Sequence, residues 1–127
     1  MNILAIDHGE KRIGLAWARV GLDLVLPYGK IEEYEEDKQI QALVSLIKKE
    51  SINLLVIGLP VQVDGGGETD HSKKIRAFGE QMKKHIDIPV FFEDERFTSQ
   101  QADAMGGDVS RDEKSAMVIL QSYLDNM

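Results

Sequence analysis

The chain has 127 residues, 43% of them hydrophobic, which suits one domain, residues 1–127, with a packed core. It contains no cysteine, so disulfides and thiolate metal sites are excluded, and it shows no apolar run of transmembrane length and no basic-then-apolar leader, so the expected setting is the cytoplasm without a membrane. Twenty-two acidic residues against 15 basic give a net charge of −7, which excludes a uniformly basic nucleic-acid binder and leaves room only for a local patch.

Asn2–Asp7 (NILAID) reads as a short buried strand ending on an acid. After a turn at His8–Lys11, Arg12–Ala18 (RIGLAWA) forms a second apolar strand. Leu24–Ile31 is a third, with Pro27 and Gly29 pointing to an edge or a bulge. Short links between the three predict an antiparallel meander. The period then changes: in Glu35–Glu50, Ile40, Leu43, Val44 and Ile47 recur at helical spacing. Asn53–Pro60 (NLLVIGLP) is a strand buried on both faces. A glycine-rich loop, Val61–Asp70, leads into a helix through Ile75, Phe78 and Met82. Pro89–Phe92 is a short strand running into EDER, and Ser110 with Glu113 forms a capping box opening a helix whose face carries Ala116, Met117, Ile119, Leu120, Tyr123 and Leu124. The order βββ-α-β-α-β-α defines an α/β layer fold.

Acids stand at three places where such a fold gathers ligands. Alternation puts Asp7 on the face of Ile3 and Ala5, at a strand end. Asp94 and Glu95 end the last strand beside Arg96. Asp112 lies in the first turn of the last helix, one turn before Ala116 and two before Ile119, on the stripe facing the sheet. Each has a plain structural alternative: Asp7 as a turn former before Gly9, the strand-end acids as surface ion pairs, Asp112 as a helix-dipole partner. Converging carboxylates repel unless a cation joins them, and an oxygen-only donor set suits Mg²⁺ or Mn²⁺. His8, His71 and His85 lack metal-ligand spacing and are expected in solvent. Asp64–Gly67 either cradles a phosphate or merely connects, and it lacks the ending of a P-loop. Lys11, Arg12, Lys73, Lys74 and Arg76 are candidates for one local basic edge, or else ordinary surface.

DHGEKRIGLA (Asp7–Ala16), IGLPVQVDGG (Ile57–Gly66), EDERFTSQQA (Glu93–Ala102) and DEKSAMVILQSYLD (Asp112–Asp125) together resemble the YqgF (RuvX) family, from the first strand to the last helix. The resemblance implies an RNase H-like mixed sheet, three antiparallel strands followed by α-β-α-β-α, with helices on both faces. It implies a metal-dependent endonuclease acting on structured nucleic acid, in maturation of the 5′ end of 16S ribosomal RNA, with Mg²⁺ or Mn²⁺ as cofactor. Asp7, Glu95 and Asp112 match the family's acidic triad, with Asp94 an alternative middle member. Lys11, Arg12 and Arg96 match basic positions that contact phosphate, and Thr98 matches a cap for the following helix. The chain departs from the pattern at Met105–Arg111, where similar proteins carry a longer basic segment, so a homodimer or a partner protein becomes a candidate source of substrate grip. The rival readings are a Holliday-junction resolvase acting on branched DNA, a non-catalytic RNA-binding or transcription-associated module of the same fold, and an actin-like ATPase, which would need two such domains.

Overall fold

The computed structural model describes residues 1–9, 11–21, 24–60, 69–95 and 109–126, with Glu95 described by its backbone alone. The elements run β1 (Asn2–His8), β2 (Arg12–Arg19), β3 (Leu24–Glu32), α1 (Glu36–Lys49), β4 (Leu54–Pro60), α2 (Asp70–Lys83), β5 (Val90–Glu95) and α3 (Arg111–Asp125). The strands form one sheet in the order β3-β2-β1-β4-β5. β1, β2 and β3 pair antiparallel, whereas β4 runs parallel to β1 and to β5, as the expected mixed sheet requires. The crossover from β3 past β2 and β1 to β4 carries α1, and the connection between the parallel neighbours β4 and β5 carries α2.

Alternation along each strand divides the core in two. Leu4, Ile6, Ile13, Leu15, Leu55, Ile57 and Leu59 face α1 and α2, where Ile40, Leu43, Ile75, Phe78 and Met82 complete one cluster. Ile3, Ala5, Ala16, Ala18, Leu54 and Val56 face α3 and meet Ala116, Ile119 and Leu120. Each of the larger side chains so buried contributes about 1.5–3 kcal/mol over exposure. The residues on the α3 side are smaller, which lets that helix lie close. β4 is buried from Leu54 to Leu59 because helices cover both its faces.

β3 is an edge strand, as Pro27 and Gly29 suggested. Its pairing with β2 slips between Leu15 and Ala16, so that Leu15 faces Gly29 and Ala16 faces Pro27, with Tyr28 as the extra residue of a bulge. Gly29 sits at φ +111°, a conformation that favours glycine. His71 and His85 are exposed as expected, but His8 is not: it is half-buried, its ring 4.3 Å from that of Phe78 on α2. Alternation accounts for this, because position 8 continues the Leu4–Ile6 series toward α2. Among the described residues no helix is long and apolar enough to cross a membrane.

Candidate active site at the carboxyl end of the first strand

Asp7 pairs with Gly14 across β1 and β2, and both positions have the parity of the α3 face. Gly14 is where α3 reaches the sheet. A Cβ there would collide with the main-chain carbonyl of Asp112 and come within 2.9 Å of the Asp112 Cβ. The helix start therefore rests on bare backbone beside Asp7, and Asp112 is brought to the same corner as the first-strand acid. The approach continues along the helix, where Ser115 and Ala116 are buried against the strands.

The local sequence builds this corner with few devices. Gly9 N–H donates to the Arg12 carbonyl at 2.9 Å, which closes the turn between β1 and β2 directly after Asp7. Ser110 caps α3, and the Glu113 side chain returns to the Ser110 backbone, so the expected capping box is present. Two acids in that first turn, Asp112 and Glu113, complement the positive end of the helix dipole.

The third acid can be placed only as a strand position. Ile6, Ile57 and Phe92 form one row across β1, β4 and β5, and Glu95 pairs with Pro60 three positions beyond that row. Phe91 touches Tyr123 of α3, and Glu93 accepts hydrogen bonds from Ser122 Oγ at 2.9 Å and Asn126 Nδ2 at 3.0 Å. Position 95 shares the parity of these two residues and hence of Asp7. Asp94 shares the parity of Phe92, which packs against α2, and it lies exposed on the opposite face. Between Asp7 and position 95 lies β4, whose α3-face position in that stretch is Gly58.

Arg12 Nε lies 3.7 Å from Asp112 Oδ2, with the two side chains 59% and 31% exposed. A pair this open contributes well under about 1 kcal/mol to stability. Its significance is positional, since a cation already stands at the Asp112 carboxylate. Lys11, next along the chain, is exposed, with its ammonium 6.0 Å from the centre of the Tyr34 ring. Arg76 lies over the Phe92 ring at 5.4 Å, on the α2 side of the sheet, so Arg12 and Arg76 occupy opposite faces and do not form one basic edge. Arg96, Thr98, the glycine-rich stretch 61–68 and most of the shortened segment before α3 lie outside the described residues.

The oxygen donor set fits a hard divalent cation by its chemistry. No group of three or more His, Cys, Asp and Glu side chains converges among the described residues, which at this corner present the carboxylates of Asp7 and Asp112 and the strand position of a third acid. Sequence reading missed two residues here. Gly14 reads as an ordinary glycine in an apolar strand until α3 is laid on it, and Glu93 looks like one more strand-end acid although it serves the far end of α3.

The mixed five-stranded sheet, with helices on both faces, defines an RNase H-like fold. T. thermophilus RuvC, solved in complex with a Holliday junction substrate, superposes with a TM-score of 0.65 at 10% identity, covering 99% of this chain and 96% of that one. Fowlpox virus resolvase, solved with substrate Holliday junction DNA, also gives 0.65, at 12% identity over 99% of this chain and 98% of that one. At such identities the likeness is one of fold. The model of the RuvX family, described as Holliday junction resolvase, matches residues 1–126, and the chain belongs to that family. A relative from Dictyoglomus turgidum, described as "Putative pre-16S rRNA nuclease", is 34% identical and covers 100% of this chain and 96% of its own. One from Caldanaerobacter subterraneus subsp. tengcongensis, with the same description, is 35% identical over 99% of this chain and 97% of its own.

Proposed function

We propose that the chain is a divalent-metal-dependent endonuclease that hydrolyses phosphodiester bonds in structured nucleic acid, with a precursor of 16S ribosomal RNA as its substrate. The observation that carries this reading is the contact of Asp112 with Gly14, the residue paired with Asp7, which brings together two acids from the first strand and the last helix. A structural role for either acid alone would not require the helix to start on bare strand backbone. Family membership and the relatives' descriptions support the same activity.

In this reading Asp7, Glu95 and Asp112 hold Mg²⁺ or Mn²⁺. When bound, such ions neutralise charge on the attacking and leaving oxygens and favour a nucleophilic water near neutral pH. The chain's own groups do the rest. Asp7 and Asp112 keep fixed positions because sheet register and the Gly14 contact hold their backbones. Arg12 holds Asp112 while no substrate is present and turns to a substrate phosphate when the carboxylate is otherwise engaged. Lys11 and Arg96, adjacent to the acids in sequence, contact neighbouring phosphates. Glu95 rather than Asp94 is the middle acid, since its strand position belongs to the face of Asp7. The second reading, cleavage of branched DNA, is favoured by the fold shared with two resolvases solved on Holliday junctions.

The test uses Asp7→Asn. Wild-type protein is expected to melt higher with saturating Mn²⁺, because only the folded state presents the site. It is also expected to cleave a 5′-extended 16S precursor or a four-way DNA junction, the preferred substrate deciding between the readings. Asp7→Asn should lose both effects and keep its metal-free stability, because it relieves repulsion between acids. A variant that still cleaves, or one unfolded without metal, sinks the proposal.

A further inference from the structure

Glu113 does more than a capping residue needs. In a capping box the carboxylate at the third helical position returns to the N-cap backbone, and that is its whole task. Here Oε1 accepts from Ser110 Oγ at 2.8 Å and from Ser110 N–H at 3.4 Å, which completes the box. The second oxygen leaves the helix altogether. Oε2 accepts the backbone N–H of Gly29 at 2.8 Å, across 84 residues of sequence. Gly29 stands beside the bulge that separates the two registers of β2 and β3, at the left-handed φ of +111°. The bulged edge strand thus presents a backbone donor to α3, and the residue that takes it directly follows Asp112.

We propose that Glu113 is a positioning residue for the metal site. The inference rests on the reading of Asp7 and Asp112 as metal-holding acids. Gly14 sets how far above the sheet the first turn of α3 lies. It leaves the turn free to roll or slide over that bare backbone. The Glu113–Gly29 bond removes this freedom, because the same carboxylate grips the helix cap on one side and the edge strand on the other. A charged acceptor makes such a bond short and directional. The Asp112 carboxylate is thereby held toward Asp7 by a neighbour that itself touches no metal or substrate.

The test separates this role from simple capping. Ser110→Ala removes the N-cap and leaves the Gly29 bond possible, whereas Glu113→Ala keeps the bond from the residue-113 N–H to Ser110 Oγ and removes the carboxylate's bonds to Ser110 and to Gly29. Glu113→Gln keeps one carbonyl oxygen at the right reach for Gly29. Binding of Mn²⁺ alone is measured from the free-ion electron paramagnetic resonance signal, in full-length protein well below its melting temperature. Support around metal ligands typically changes affinity by about 10–100-fold, so Glu113→Ala is expected to bind Mn²⁺ more weakly by about that factor. Ser110→Ala should stay within about twofold of wild type despite a comparable drop in melting temperature, and Glu113→Gln should recover most of the affinity. Equal Mn²⁺ affinity in Glu113→Ala and Ser110→Ala overturns the proposal and leaves the metal site standing. An Asp7→Asn protein that binds Mn²⁺ like wild type overturns the site itself and this inference with it. If Glu113→Ala does not fold, Glu113→Asp replaces it, since the shorter acid keeps a first-turn charge but falls short of Gly29. Weakened binding by that variant supports the role, and wild-type binding refutes it.

Discussion

Gly14→Ala is the sharpest perturbation of the corner. Replacing glycine by alanine inside a strand ordinarily stabilises by about 0.5–1 kcal/mol, because glycine loses more freedom on folding. Here the new methyl meets the Asp112 carbonyl group and stands 2.9 Å from its Cβ, where ordinary contact begins at 3.4 Å. The obstacle is main chain in the first turn of a helix, so no rotamer change relieves it. The start of α3 must lift by something on the order of 1 Å, enough to cost about 100-fold in rate at a catalytic geometry. Overpacking of this kind costs about 1–3 kcal/mol, so the net destabilisation is up to about 2.5 kcal/mol once the strand gain is deducted. For a chain of this size the melting temperature should then fall by up to roughly 10 °C. Differential scanning fluorimetry gives the shift, and single-turnover cleavage of a four-way junction at low temperature gives the rate for molecules that remain folded. A variant of equal or higher melting temperature with undiminished cleavage would show that α3 does not start on Gly14, and the link between Asp7 and Asp112 would go with it.

Arg12→Ala should change stability by less than about 1 kcal/mol, as befits an exposed pair, and should reduce the slope of log affinity against log salt by about one on branched duplex; an unchanged slope in a fluorescence-anisotropy titration removes Arg12 from the phosphate contacts. Glu93→Ala should cost about 1–2 kcal/mol by releasing Ser122 and Asn126, while Mn²⁺ affinity stays at the wild-type level; loss of metal binding would make Glu93 a member of the site. The Tyr28 phenol is held above its ordinary value near 10, first by burial and then by the hydrogen bond to Glu50 and its charge. Its contribution to stability is complete below pH 10 and is lost as pH rises through the raised value, and Glu50→Gln should lower the Tyr28 transition in an ultraviolet alkaline titration. A Tyr28 transition unmoved by Glu50→Gln would mean that the carboxylate does not reach the phenol.

What was legible in the sequence is whatever a local pattern encodes. The run NILAID places Asp7 on a face, SRDE announces a cap, and Pro27 with Gly29 marks an edge strand that indeed carries a bulge. The stripe from Asp112 through Ala116 to Ile119 correctly turns the helix toward the sheet. What could not be read is which distant groups meet. Nothing near Gly14 announces that a helix begins on it, and nothing near Glu113 names Gly29 as its second partner. The choice between Asp94 and Glu95 was open because a one-residue difference at a strand end reverses the face. It takes the neighbours Phe91 and Phe92, each packed against a different helix, to assign the parity. The half-buried position of His8 is illegible for the same reason, since its partner Phe78 belongs to another element.

Because β1 carries one acid and α3 the other, the two meet only after nearly everything between them has been made. A growing chain still held at the exit of its ribosome can fold its antiparallel meander early from local pairings. It lacks the Asp112 carboxylate, and with it one corner of the proposed site, until the last helix has emerged and lain down across the sheet. On the proposed reading the site therefore closes only when synthesis is nearly complete, and a product cut short before residue 112 never closes it.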